Sequence, residues 1–224
     1  MKVKICGQTS LGDCNMAMKH GADFVGVVVD VEWSPRSLDI NRATPIFDNH
    51  KDHCFLLTYN MNLKPELKDC MVALKPYALQ LTGQESTSDV DQIKSKMDVL
   101  VYKSIHLNAQ GNNNENPNTI LARMEEFILA GVDGFVLDTA SRGMFGGTGV
   151  KSDWDLAGLI IEKCQVPLFL AGGINSSNVA EAIGMPGLYG IDLASGVEDK
   201  KGEKSEAKVR TFFDVVRGIT ITRP

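Results

Sequence analysis

FVGVVVD, residues 24–30, runs six apolar or glycine residues together before its first charge. A strand with one face in water alternates apolar and polar residues, whereas this stretch is apolar at both parities and dominated by β-branched valine. It is too short for an ordinary helix, so it reads as a strand covered on both faces, the pattern of a parallel sheet. VPLFLAGG, residues 166–173, has the same character and closes on two glycines.

Outward from these two, eight strand candidates can be read at residues 3–6, 24–30, 54–59, 78–81, 99–105, 134–138, 168–171 and 190–194. They alternate with helix candidates at 11–20, 41–50, 65–74, 88–96, 118–130, 153–163, 176–183 and 205–217. SSNV at 176–179 and KSDW at 151–154 place N-cap residues where two helices should begin. Such alternation requires right-handed crossovers, in either an open doubly wound sheet or a closed (β/α)8 barrel. An open dinucleotide-binding sheet carries GxGxxG after its first strand, where this chain has CGQTSLG. Eight units favour the barrel, and the prediction is an α/β fold, a single (β/α)8 TIM barrel domain spanning residues 1–224.

The bulk composition bounds the partners. With 43% hydrophobic and 23% charged residues in 224, the chain can build a sizeable core. A net charge of −5 gives no electrostatic reason to expect nucleic acid or an anionic membrane, and no run approaches the roughly 18 apolar residues of a membrane span. The five cysteines form no CxxC pair and have no metal-ligand spacing with the four histidines, so no metal site is expected. The opening MKVKICGQ lacks the apolar core of a signal peptide, and a reducing cytoplasm is the expected compartment. The polar stretch NAQGNNNENPN, residues 108–118, reads as a surface loop.

In such a barrel the chemistry sits at the C-terminal ends of the strands. Cys6, Arg36, Thr82, Asp138, Gly172 with Gly173, and Ser195 with Gly196 close or follow the apolar runs. Loops after the seventh and eighth strands commonly hold phosphate on backbone N–H groups, and LAGGINSSN and LASGVED stand there. GMFGGTG, residues 143–149, would add further N–H groups beside them, although each turn alone is equally a tight βα connection.

Cys6 reads either as an inert buried thiol or, facing the mouth before Gly7, as a base whose thiolate needs nearby positive charge. Asp138, ending an otherwise apolar strand, is either a structural cap or a partly desolvated carboxyl raised enough to act as a general acid. Arg36 after Ser-Pro is either solvated or an inward fork for a carboxylate. His53 and His106 read as surface or strand-edge residues, and Met16 and Met18 as packing.

Taken in order, KICGQTS, GADFVGVVV, SPRS, LQLTGQE, VLDTASRGMFGGTGVKSDW, LAGGINSSNV and GIDLASGVEDKKGEK resemble the phosphoribosylanthranilate isomerase family of tryptophan biosynthesis over nearly the whole chain. The resemblance implies a (β/α)8 barrel and an Amadori rearrangement of N-(5-phosphoribosyl)anthranilate, without metal or organic cofactor. By motif it makes Asp138 the acid that opens the ribose ring and Cys6 the base that takes the C2 proton. It gives Arg36 the anthranilate carboxylate, and the backbone at Gly147, Thr148, Gly172, Gly173, Ser195 and Gly196 the phosphate. Asp192 matches a family aspartate that orients the sugar. The implied partner is a small phosphosugar, with no nucleic acid or membrane, and the assembly a monomer or homodimer.

Three places depart from the family pattern. QLTG replaces QLHG, so Thr82 stands for a histidine near the substrate; LLTYN replaces FVN; and KGEKS replaces PGxKD. A related isomerase using another phosphorylated aminosugar, or a noncatalytic barrel binding a phosphorylated metabolite, therefore stands beside the leading expectation.

Overall fold

The computed structural model describes residues 1–59, 65–107, 116–138 and 154–222. Eight parallel strands form the cylinder: β1 (Lys2–Ile5), β2 (Phe24–Val29), β4 (Cys54–Thr58), β5 (Ala78–Leu81), β6 (Leu100–His106), β7 (Gly134–Asp138), β8 (Leu168–Ala171) and β9 (Gly190–Leu193). A two-residue strand β3 (Ser37–Leu38) hangs on the edge of β2, and β10 (Glu198–Lys200) with β11 (Glu203–Lys204) makes a small antiparallel hairpin. Each barrel strand pairs with the next, and β1 pairs with both β2 and β9, which closes the sheet. Followed once round the cylinder, the paired residues return to β1 eight positions from where they began, the shear of a TIM barrel.

The connecting helices are α1 (Leu11–His20), α2 (Ile40–His50), α3 (Pro65–Leu74), α4 (Thr87–Lys96), α5 (Pro117–Leu129), α6 (Trp154–Lys163), α7 (Val179–Ile183) and α8 (Glu206–Thr222). Local sequence fixes several starts. Ser10 and Asp39 accept from backbone N–H groups three residues on, Ser86 and Asp89 form a capping box, and Asn116 caps α5 with Pro117 at its first position. The SSNV stretch behaves otherwise. Asn175 Oδ1 accepts from both the backbone N–H and the hydroxyl of Ser177, an Asx turn that delays α7 to Val179 and leaves it five residues long. KSD at 151–153 lies outside the described residues, as do 108–115 of the polar stretch.

The buried apolar residues separate into two bodies, as a two-sided sheet requires. One lies between strands and helices, with Val25, Val27, Leu56, Phe135 and Phe212 among its members, and Met16 and Met18 pack against it. The other fills the lumen with Phe24, Phe55, Tyr102, Phe169, Val136 and their neighbours. The Phe55 ring meets Phe24 and Tyr102 edge-on at 5.4 and 5.0 Å between centroids, and Tyr77 and Tyr189, which precede β5 and β9, complete the aromatic plug. At Gly190 a Cβ would stand 2.6 Å from the Phe169 ring, so the inward position is left empty for the plug. The N-terminal end of the barrel is thereby filled, and chemistry is confined to the other mouth.

Candidate active site

Above the plug, one polar row crosses the lumen. Lys4 Nζ donates to Asp192 Oδ2 at 2.7 Å and to Gln80 Oε1 at 2.8 Å, and Gln80 Nε2 donates to Ser104 Oγ at 3.1 Å. Lys4 is fully buried, and Asp192 Oδ1 is a buried oxygen with no partner among the described residues. Burial pushes the Asp192 carboxyl up, against the opposing pull of Lys4. Such a pair survives only because each charge neutralises the other.

Two residues beyond Lys4 on the same face, Cys6 closes β1, its N–H donating to Leu193 O at 2.8 Å. The thiol needs the glycine opposite. A Cβ on Gly26 would sit 2.9 Å from Cys6 Sγ and 3.2 Å from Lys4 Cε. The sequence argument requires nearby positive charge to lower this thiol, and Lys4 and Lys204 do pull it down. Burial outweighs them, however, and holds Cys6 above the ordinary cysteine value.

Asp138 closes β7, with β8 and β9 between it and Cys6 on one side of the cylinder and β2, β4, β5 and β6 on the other. Tyr59, just past β4, lies within electrostatic reach of both, its hydroxyl pushed up to about 12 chiefly by burial. Trp33 packs edge-on against Tyr59 at 4.7 Å, making an aromatic wall at the rim.

Arg36 reaches the same rim. Gly7, at φ +70°, allows it: a side chain there would overlap Arg36 Cδ. Arg36 Nε and Nη2 donate to Glu198 Oε1 and Oε2 at 2.8 and 2.6 Å, a bidentate fork that leaves Nη1 outside the pair. Lys204 Nζ donates to the same Glu198 at 2.7 Å. Burial raises the Glu198 carboxyl, but the two cations outweigh it and the net shift is downward. The β10–β11 hairpin thus serves as an arm that aims Arg36, a role that SGVEDKKGEK does not reveal by periodicity.

The two glycine turns after β8 and β9 meet. Gly172 and Gly173 have φ of +94° and +68°, the left-handed region that glycine favours. Gly196 presses so closely on Ile174 that a Cβ would overlap its carbonyl oxygen. Gly173 O accepts from the Asn175 and Asn178 side-chain amides at 3.1 Å each, pinning the loop from beneath. Ser195 opens a 3-10 turn, Ser195–Val197, beside them. Gly147 and Thr148 lie outside the described residues.

Thr82 follows β5 as expected, its N–H bonded to Thr58 O at 3.0 Å. Its carbonyl faces His106, the residue that sequence reasoning set aside. His106 closes β6, opposite Asp138 in register, with Nδ1 3.5 Å from Asp138 Oδ2 and Nε2 3.0 Å from Thr82 O. Unlike Asp138, His106 ends a strand, LVYKSIH, in which Lys103 and Ser104 interrupt the apolar residues, so no apolar run points to it. His53 is a surface residue as read, exposed beside Asp23 O.

Comparison with known proteins gives the chain its relatives. A profile of the N-(5'phosphoribosyl)anthranilate (PRA) isomerase family matches residues 3–215. The N-(5'-phosphoribosyl)anthranilate isomerase of Methanosarcina acetivorans is 35% identical over 225 aligned positions, covering 96% of this chain and 93% of that protein. The chain belongs to the phosphoribosylanthranilate isomerase family. Its relative in Geotalea uraniireducens is 35% identical over 97% of this chain and 99% of its own. Among solved structures, the family's Thermotoga maritima member superposes with a TM-score of 0.81 at 27% identity, over 97% of this chain and 99% of that one. A family structure in complex with reduced 1-(o-carboxyphenylamino)-1-deoxyribulose 5-phosphate superposes at 0.76 and 26% identity, over the same two shares.

Proposed function

We propose that the residues at the barrel mouth convert N-(5-phosphoribosyl)anthranilate to 1-(2-carboxyphenylamino)-1-deoxyribulose 5-phosphate by proton transfers from opposite walls. The isomerase activity follows from the family; the assignment of roles is the proposal. Asp138 protonates the ribose ring oxygen, the C1–O bond breaks, and a C1=N iminium cation forms. Cys6 thiolate then takes the C2 proton, giving an enolamine that regains a proton at C1 as the C2 ketone forms. The order follows from electrostatics. Burial favours the neutral thiol in the empty barrel, and the iminium cation beside Sγ supplies the positive charge that favours thiolate.

Substrate binding divides by charge. The phosphate sits on amides of the Gly172–Gly173 and Ser195–Gly196 turns, joined by Gly147 and Thr148. Asp192 Oδ1, buried and without a partner among the described residues, accepts a hydrogen bond from a ribose hydroxyl. Arg36 offers Nη1 to the anthranilate carboxylate, and Thr82, with Tyr59 and Trp33, lines the aromatic side. All these groups come from one chain, which suits either a monomer or a homodimer; one Thermotoga structure presents monomers of a dimeric family member. Five free cysteines suit a reducing cytoplasm.

The observation that carries the reading is a thiol just past β1 and a carboxyl at the end of β7, both on the lumen side at one mouth. Cys6→Ser and Asp138→Asn should each lower kcat for phosphoribosylanthranilate by about 10²–10⁴ while leaving product affinity nearly intact. Steady-state kinetics beside product titration calorimetry check this; equal losses of turnover and affinity would contradict it.

A further inference from the structure

The imidazole of His106 stands between two oxygens of different kinds, and the first of them fixes one of its protons. Thr82 O is a carbonyl and can only accept, so the Nε2 facing it at 3.0 Å carries a hydrogen. The other ring nitrogen, Nδ1, faces Asp138 Oδ2 at 3.5 Å, the outer edge of a hydrogen bond. With both atoms unprotonated, two lone pairs would confront each other. With one proton between them, the contact is a hydrogen bond in either direction.

We propose that His106 is a positioning residue for the acid step, sharing one dissociable proton with Asp138 across the Nδ1–Oδ2 contact while Nε2–H anchors the ring on Thr82 O. The inference rests on the assignment of Asp138 as acid. It deepens that assignment by naming the group from which the acid draws its proton, across the 3.5 Å Nδ1–Oδ2 contact. Paired, Asp138 draws on the imidazole: the proton passes from Nδ1 to Oδ2 and on to the ring oxygen as the C1–O bond breaks. His106 is left neutral with Nε2–H still bound to Thr82, and water restores the proton after turnover.

The surroundings agree. The hydrogen bond to Asp138 is the main cause that raises the His106 imidazole above its ordinary value, with burial and Lys103 opposing it. Lys103, on the same strand, is itself paired with Glu85 at 3.1 Å. Among the described residues, Tyr59 on the β4 side and Asp192 on β9 are titratable groups within electrostatic reach of Asp138. Thr82 takes part through its backbone, so its side chain need not be an imidazole for an imidazole to meet the acid.

His106→Gln separates the proton from the fold. The ratio of wild-type to variant kcat should rise by about tenfold or more from mildly acid to mildly alkaline pH and then level off, because only the wild type can draw its proton from the imidazole. A ratio constant with pH, or a variant equal to wild type throughout, would overturn the proposal while leaving Asp138 as acid, provided Asp138→Asn still abolishes turnover. Should Asp138→Asn retain turnover, both readings fail. Independently of activity, nitrogen NMR should show His106 Nε2 protonated throughout and Nδ1 titrating above the ordinary histidine value. In Asp138→Asn that titration should fall back; an unchanged value would sink the coupling even if His106→Gln did not fold.

Discussion

Gly26 carries no side chain into the lumen because Cys6 Sγ, Leu57 Cδ1 and Lys4 Cε already stand around the place its Cβ would take. At 2.9–3.2 Å these contacts are closer than methyl packing allows, and two of the three atoms belong to the working side of the barrel. Gly26→Ala should therefore do more than overpack a core. It should destabilise the fold by about 1–3 kcal/mol and push the thiol off the C2 proton, lowering kcat more than KM. Denaturant titration and steady-state kinetics on the same preparation test this, and wild-type kcat in the alanine variant would show that the thiol's placement is not critical. In the sequence, Gly26 is one glycine in a run of valines. That it clears space for the thiol just past the end of a neighbouring strand depends on register, which single-strand patterns do not contain.

At the scale of elements, near-continuous apolar runs mark β2, β4 and β8, buried on both faces, while β1, β5, β6 and β9 are apolar runs broken by the Lys4, Gln80, Ser104 and Asp192 that they send into the lumen. What they missed owes its stability to distant partners. The β10–β11 hairpin is charged along its length and is held by Glu198 on Arg36 and Lys204, and by Gly202 O accepting from the Thr9 hydroxyl. β3 exists only because it pairs with the end of β2. α7 began later than its serines suggested because Asn175 competes for Ser177. The rule that barrel chemistry sits at strand ends puts Cys6 and Asp138 at one mouth, where the structure has them, while His106 does not stand out because Lys103 and Ser104 interrupt the residues before it. The contact of Gly196 with Ile174 joins two of the proposed phosphate loops, so Gly196→Ala must drive them apart. Product affinity should drop about tenfold, equivalent to about 1.4 kcal/mol. Calorimetry with the product decides, and unchanged affinity would remove these turns from the phosphate site.

For the molecule as a whole, closure of the sheet divides the interior into two cores that do different work. The outer one joins helices to strands; the inner one plugs one end of the lumen and leaves the polar row of Lys4, Asp192, Gln80 and Ser104 beneath the mouth. Lys4→Met would strand Asp192 as an unpaired buried carboxylate, costing about 3–5 kcal/mol. In a chain of this size that lowers Tm by about 10 °C. Lys4→Met combined with Asp192→Leu should recover much of the loss in scanning calorimetry without restoring activity; a single variant as stable as wild type would show the pair to be dispensable. The central claim is geometric, and a crystal structure with the reduced product analogue tests it most directly. The account predicts the sugar's C2 within about 3.5 Å of Cys6 Sγ, the former ring oxygen at Asp138, and the phosphate on the amides of the Gly172–Gly173 and Ser195–Gly196 turns. A ligand lying with its C2 beyond reach of Cys6, or with its phosphate elsewhere on the rim, would contradict it.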